Sequence, residues 1–129
     1  MIGDKVEHFQ GKGTDLGGLQ SHIQGYLEHD GFRVQASAPS VQGAVLQARK
    51  GHILSGLIDA DRALTITITG SPDDFTVRVG IGKWLEHLAT AVIEGLALSE
   101  VFLVVDVAET AWNVEIEDKL VKDIKSFVG

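Results

Sequence analysis

Apolar and polar side chains alternate in four segments in the middle of the chain, 32–37, 44–49, 64–69 and 75–81. A period of two is typical of a β-strand with one buried face and one solvated face. Turn-forming residues separate the first segment from the second and the third from the fourth, as expected for antiparallel neighbours. The predicted buried face carries Phe32, Val34, Leu46, Leu64, Ile66, Ile68, Phe75, Val77 and Val79.

Helical spacing marks both flanks of the strand region. Apolar residues at intervals of three and four from Leu16 to Leu27 predict a helix. Thr14 or Asp15 can cap its first turn, and Gly31 can end it in a left-handed conformation. The same spacing predicts further helices over 85–96 and 116–127.

The longest apolar block is EGLALSEVFLVVDVAETAW, at 94–112. On a helix its polar residues, among them Ser99 and Asp106, fall on one line, so we expect a helix over 99–112. A buried strand at 101–107 is the alternative, because that segment is rich in β-branched residues. The block is too short and too often interrupted by acids to span a membrane.

A short strand at 6–10 is possible, which gives the predicted order β-α-β-β-β-β-α-α. We expect a single domain, 1–129, of the two-layer α+β class, with helices packed on one face of an antiparallel four- or five-stranded sheet. This order resembles that of a TATA-binding-protein-like repeat and, more loosely, that of the helix-grip ligand-binding folds. A shared topology does not imply a shared function.

Charge and composition exclude several classes of protein. The net charge of −7 argues against nucleic-acid binding, and residues 84–129 hold −6 of it, with three lysines and nine acids. The absence of cysteine excludes disulfides, thiolate metal sites and a cysteine nucleophile. The N-terminus has no apolar signal segment, so we expect a cytoplasmic, prokaryotic protein.

The polar face of the predicted sheet is the strongest candidate for a binding site. Arg33, Arg49 and Arg78 lie there without an acid, although the chain is acidic. Arginine forks suit carboxylate or phosphate groups, so these residues are a hypothesis for an anion-binding face, and ordinary solvated strand residues are the alternative.

Other polar clusters give weaker signals. Asp59 and Asp61 could share a divalent cation, but Arg62 beside them neutralises them more simply. His22 and His29 lie seven residues apart, whereas metal pairs on a helix prefer a spacing of four. The glycine-rich loop 11–18 lacks a nucleotide-binding pattern. We therefore predict no metal, no cofactor and no catalytic residue.

Three short motifs resemble an uncharacterised family of small prokaryotic proteins with a helix, four strands and an apolar helical C-terminus. They are GIGKW at 80–84, DRALTITI at 61–68 and Trp112. The resemblance covers about residues 15–128 and implies the same α+β order but no activity. Glu100, Asp106 and Glu109 depart from the membrane-like C-terminus of that family, which makes membrane contact unexpected here.

These observations favour a non-catalytic interaction module that forms a homo-oligomer, most simply a dimer, through its apolar C-terminal helices. The alternative is a carrier of a small apolar or lipid-like ligand held between sheet and helices. An enzyme that uses His and Asp acid–base groups is a distant third. The predicted interface residues are Val101, Val104, Val105, Ala108 and Trp112.

Overall fold

A computed structural model describes residues 5–37, 43–49, 62–84 and 107–129. Five strands and two helices lie in these ranges. In chain order they are β1 (Lys5–Gln10), α1 (Leu16–His29), β2 (Arg33–Ala36), β3 (Ala44–Arg49), β4 (Arg62–Ser71), β5 (Asp74–Lys83) and α2 (Val107–Val128).

The predicted α+β class is confirmed, and the N-terminal segment, for which a strand was only a possibility, forms a strand. All strands pair antiparallel in the order β1-β5-β4-β3-β2, so β1 and β2 form the two edges. Helix α1 connects these two edge strands and therefore crosses the sheet. The β4–β5 hairpin turns through Pro72 and Asp73, where turn chemistry was predicted.

Both ends of α1 follow the sequence signals. Of the two possible caps it is Asp15 that acts, since its carboxylate accepts the backbone N–H of Gly17 at 3.1 Å. The helix stops at Asp30, whose N–H bonds to carbonyls of the last turn, and Gly31 follows with a φ of 93°.

The face of the sheet towards the helices, here called the first face, carries the predicted apolar side chains. Eight of the nine predicted residues are buried in one cluster, and Val34 is partly buried against it. The buried face predicted from the alternation is therefore confirmed. The helices contribute Leu19, Ile23 and Leu27 from α1 and Leu120, Val121 and Ile124 from α2.

The opposite or second face was predicted to be solvated, and at its centre that prediction is wrong. Gln47 and Thr65 are fully buried, and Ser37 and Thr67 are nearly so. The physical reason is that the apolar residues of this face, such as Ala63 and Val45, are buried as well, so the centre of the face packs against protein rather than water. Gln and Thr tolerate such burial when their polar atoms are hydrogen-bonded.

Helix α2 confirms part of the C-terminal prediction. Residues 107–112 are helical and continue without a break into the predicted amphipathic tail. Residues 99–106 and the predicted helix 85–96 lie outside the described residues, and so do Asp59 and Asp61. In the part of the chain that is described, no helix is long and apolar enough to cross a membrane.

Candidate functional site

The structure separates the three predicted arginines into a pair and a single residue. Arg33 on β2 lies directly opposite Arg49 on β3. Arg78 lies two strands further on, in β5 opposite Thr67. Standard strand spacing and rise place its Cα about 16 Å from that of Arg49. One anion can therefore engage Arg33 and Arg49 together, but not all three arginines.

Trp84 completes the site formed by the pair. The Arg49 guanidinium lies over the Trp84 ring, with Cζ 4.2 Å from the ring centroid. Arg49 reaches that ring from β3 because the positions between them, Ala63 on β4 and Gly82 on β5, carry little or no side chain. A cation over an aromatic face is stabilised by the ring quadrupole. We call Arg33, Arg49 and Trp84 the basic corner.

The basic corner carries uncompensated positive charge. Among the described residues, no carboxylate forms an ion pair with Arg33 or Arg49. Like charges directly opposite each other on an antiparallel pair destabilise a sheet. The chain keeps these two cations together although its net charge is −7. An anion bound between the two guanidinium groups would remove the repulsion between them.

A row of hydrogen-bonded side chains runs beside the corner on the second face. The Gln35 amide donates to the Gln47 oxygen at 3.0 Å, and the Gln47 amide donates to the Thr65 hydroxyl at 3.2 Å. That hydroxyl donates to the Ala63 carbonyl at 3.1 Å. The row ties β2, β3 and β4 together and fixes the strands that carry Arg33 and Arg49.

A second polar cluster joins α1 to α2. His22 Nε2 lies 2.7 Å from an Asp123 carboxylate oxygen, and the His22 ring stacks on Phe127 with centroids 4.4 Å apart. Burial raises the pKa of Tyr26, and the negative charges of Asp123 and Asp30 raise that pKa further, with Lys119 opposing them. The contacts of His22 with Asp123 and Phe127 hold α1 and α2 together, so this cluster has a structural role.

Among the described residues, the remaining clusters show no metal site. Two backbone N–H groups of the glycine-rich loop form hydrogen bonds within the protein. Gly11 donates to the Asp73 carbonyl, and Thr14 donates to the Pro72 carbonyl. His29 is exposed, and no group of three metal-ligating side chains occurs among the described residues.

A small cavity lies between the first turn of α1 and the ends of β3 and β4. Its volume is about 80 Å³, and its lining includes Leu16, Gln20, Gly43 and Ile68. Drug-sized and lipid-like ligands need sites of roughly 300–1,000 Å³. This cavity is therefore too small for the apolar ligand of the carrier hypothesis.

Sequence reasoning missed two features of the site. The adjacency of Arg33 and Arg49 depends on the β2–β3 register, which an alternation pattern does not supply. Trp84 drew attention only through the GIGKW motif, although an aromatic residue two positions after Gly82 on the arginine-bearing face was an available signal.

The predicted interface residues are only partly described. Val101, Val104 and Val105 lie outside the described residues, and only the helical backbone is described at Ala108 and Trp112.

Comparisons of the chain with protein-family models, curated proteins and solved structures find no match. They add no support to the family resemblance of the GIGKW, DRALTITI and Trp112 motifs.

Proposed function

We propose that the protein is a non-catalytic, cytoplasmic interaction module that binds a carboxylate group of a protein partner at the basic corner. The observation that supports this most directly is the Arg33–Arg49 pair, which faces no acid among the described residues. Two cations held together without a counter-charge are costly unless something binds them. An acidic partner supplies the missing charge.

The shape of the corner favours a protein side chain over a small enclosed ligand. Arg33 is exposed and lies on an edge strand, and Arg49 and Trp84 are half-buried beside it. An extended acidic segment can lie along such an edge and place a carboxylate between the two guanidinium groups. One guanidinium can donate two parallel hydrogen bonds to this carboxylate, and the other can donate to its remaining lone pairs. Because Arg49 already lies over the Trp84 ring, it loses less freedom of motion on binding.

Fluorescence of Trp84 can measure this binding. The chain has two tryptophans, so a Trp112→Phe background leaves Trp84 as the only reporter. We expect a peptide of six glutamates to change the Trp84 emission and to bind more weakly as salt rises. Arg33→Gln and Arg49→Gln should each weaken binding about tenfold or more, since a hydrogen bond to a charged group contributes about 1.5–3 kcal/mol.

Arg78→Gln is the matched control, because it removes the same charge from the same face at a distance from the corner. It should leave the affinity within about a factor of two or three, as expected for a screened charge beyond a Debye length. An equal loss in Arg78→Gln, or equal binding of a peptide of six lysines, would contradict the proposal. Tighter binding of inorganic phosphate would assign the corner to a phosphate ligand instead.

Self-association is the second property of the proposed module, and the apolar block at 94–112 supports it. We expect sedimentation at micromolar concentration to give a mass near twice the 13.8 kDa of one chain. A two-fold dimer of ordinary size would bury on the order of 1,200 Å² or more. A strictly monomeric species would contradict this property, and a lipid retained in the native mass spectrum would favour the carrier.

A further inference from the structure

The outer edge of β1 is an open pairing surface in the described sheet. β1 pairs with β5 on one side, and no described strand pairs with its other side. Val6 points to the second face of this strand. It is 56% exposed, the highest value for a large apolar side chain among the described residues. A sheet edge with an exposed β-branched residue is a template for another strand.

The first face of β1 carries charges of opposite sign at alternate positions. Lys5 pairs with Asp118 of α2 at 3.2 Å, and Glu7 pairs with Lys125 of α2 at 3.1 Å. Both pairs are partly exposed, so each charge can accept a second partner of opposite sign. An antiparallel copy of β1 would present these charges in the opposite order, so each charge could face one of opposite sign.

We propose that β1 pairs antiparallel with β1 of a second copy of this chain, around a two-fold axis that passes between the two Val6 residues. This rests on the self-association proposed above and names a surface for it. In this register Lys5 of each chain lies opposite Glu7 of the other, and Val6 lies opposite Val6. Cross-strand pairs of opposite charge and of β-branched residues both stabilise a sheet.

Neighbouring registers are worse on the same criteria. A continuous sheet keeps first-face residues opposite first-face residues, so the register can change only in steps of two. One step in one direction places Glu7 opposite Glu7, and one step in the other places Lys5 opposite Lys5. Like charges directly opposite each other are destabilising. The Val6 register is therefore the favoured one.

The position of α2 fits the same arrangement. α2 packs on β1 and β5 alike, so its axis lies over the space between these strands. With strands about 4.8 Å apart, a two-fold axis beside β1 places the two α2 axes about 10 Å from each other. Packed helices lie about 8–10 Å apart. Asp118 of each α2 then faces Lys125 of the other, and the exposed Lys122 side chain near the axis can extend into solvent.

Disulfide crosslinking tests the register directly, because the chain contains no cysteine. Directly opposed residues of an antiparallel pair have Cα atoms about 4.5–5.5 Å apart, within the range of a disulfide. We expect Val6→Cys to form a covalent dimer under mild oxidation. His8→Cys, on the same face of β1, should not, because the two His8 Cα atoms would be about 14 Å apart.

The possible failures are distinguishable. A sedimenting dimer without a Val6→Cys crosslink would overturn the β1 inference and leave the proposed self-association intact. A crosslink in His8→Cys and not in Val6→Cys would overturn the stated register. A monomer in sedimentation that also fails to crosslink would overturn both. Val6→Lys, which places two cations at the axis, should shift the dimer towards monomer, and an unchanged dimer would contradict the inference.

Discussion

Ile66→Ala is expected to lower the free energy of unfolding by about 2–5 kcal/mol. Ile66 is fully buried on the central strand β4, between Leu46 on β3 and Val79 on β5. Truncation removes apolar contacts and leaves a cavity that neighbours on three strands cannot easily close. Urea unfolding followed by circular dichroism measures the change, with the denaturant slope expected to stay constant.

Thr67→Ala is the matched control on the adjacent position of the same strand. Its side chain lies on the second face and is 5% exposed, and it forms no side-chain hydrogen bond with another of the described residues. We expect a loss of about 1 kcal/mol or less, because the change removes only a methyl and a hydroxyl. A loss as large as that of Ile66→Ala would mean that the two faces of β4 are assigned the wrong way round.

The sequence predicted the first face of the sheet well, because the residues that form it obey a rule local to each strand. Ile66 and Ile68 alternate with threonines, and a pleated strand sends alternate side chains to opposite sides. The caps of α1 were predictable for the same reason, since Asp15 acts on an N–H only two residues away. Local stereochemistry was sufficient for these features.

The second face was not predictable, because burial there depends on what the whole chain packs against. Thr65 looked like a solvated residue, yet it is fully buried and hydrogen-bonded to Gln47. Polar side chains on a strand give the same alternation whether they contact water or one another. Glu117 on α2 is a further case of burial that the sequence does not predict. Its carboxylate is 1% exposed on the core-facing stripe of the helix, where the pattern of a surface helix predicts an apolar residue.

The candidate site was predictable in composition but not in geometry. Arginines without acids on one face indicated anion binding, and two of the three do lie together. Which two lie together depends on the register of β2 against β3. That register is set by the pairing of two segments and cannot be read from the periodicity within either one. The ion pairs of β1 with α2 join residues more than 100 positions apart, so no spacing rule could supply them.

Gly70→Ala is expected to destabilise the β4–β5 hairpin by about 3 kcal/mol or more. Gly70 has a φ of 117°, a conformation that L side chains rarely adopt, and such strain costs about 1–3 kcal/mol. An added Cβ would also clash with the Asp74 carbonyl oxygen and lie 2.8 Å from the Phe75 Cα. Both contacts are with backbone, which cannot rotate away, so overpacking adds to the strain.

The damage should extend beyond the hairpin, because its turn supports the start of the chain. The Pro72 and Asp73 carbonyls accept N–H groups of the loop before α1, and Phe75 stacks on Phe9 of β1 with centroids 5.0 Å apart. We therefore expect hydrogen exchange in Gly70→Ala to accelerate in β1 as well as in the hairpin.

Gly25→Ala separates this specific effect from the general effect of replacing a glycine. Gly25 lies inside α1, where an added Cβ would meet no atom within 4 Å. Alanine has the higher helix propensity, so this change should stabilise the protein by about 0.5–1 kcal/mol. Thermal unfolding of the two variants should therefore shift in opposite directions. A Gly70→Ala protein that unfolds within about 1 kcal/mol of the parent chain would show that the hairpin adopts a different turn.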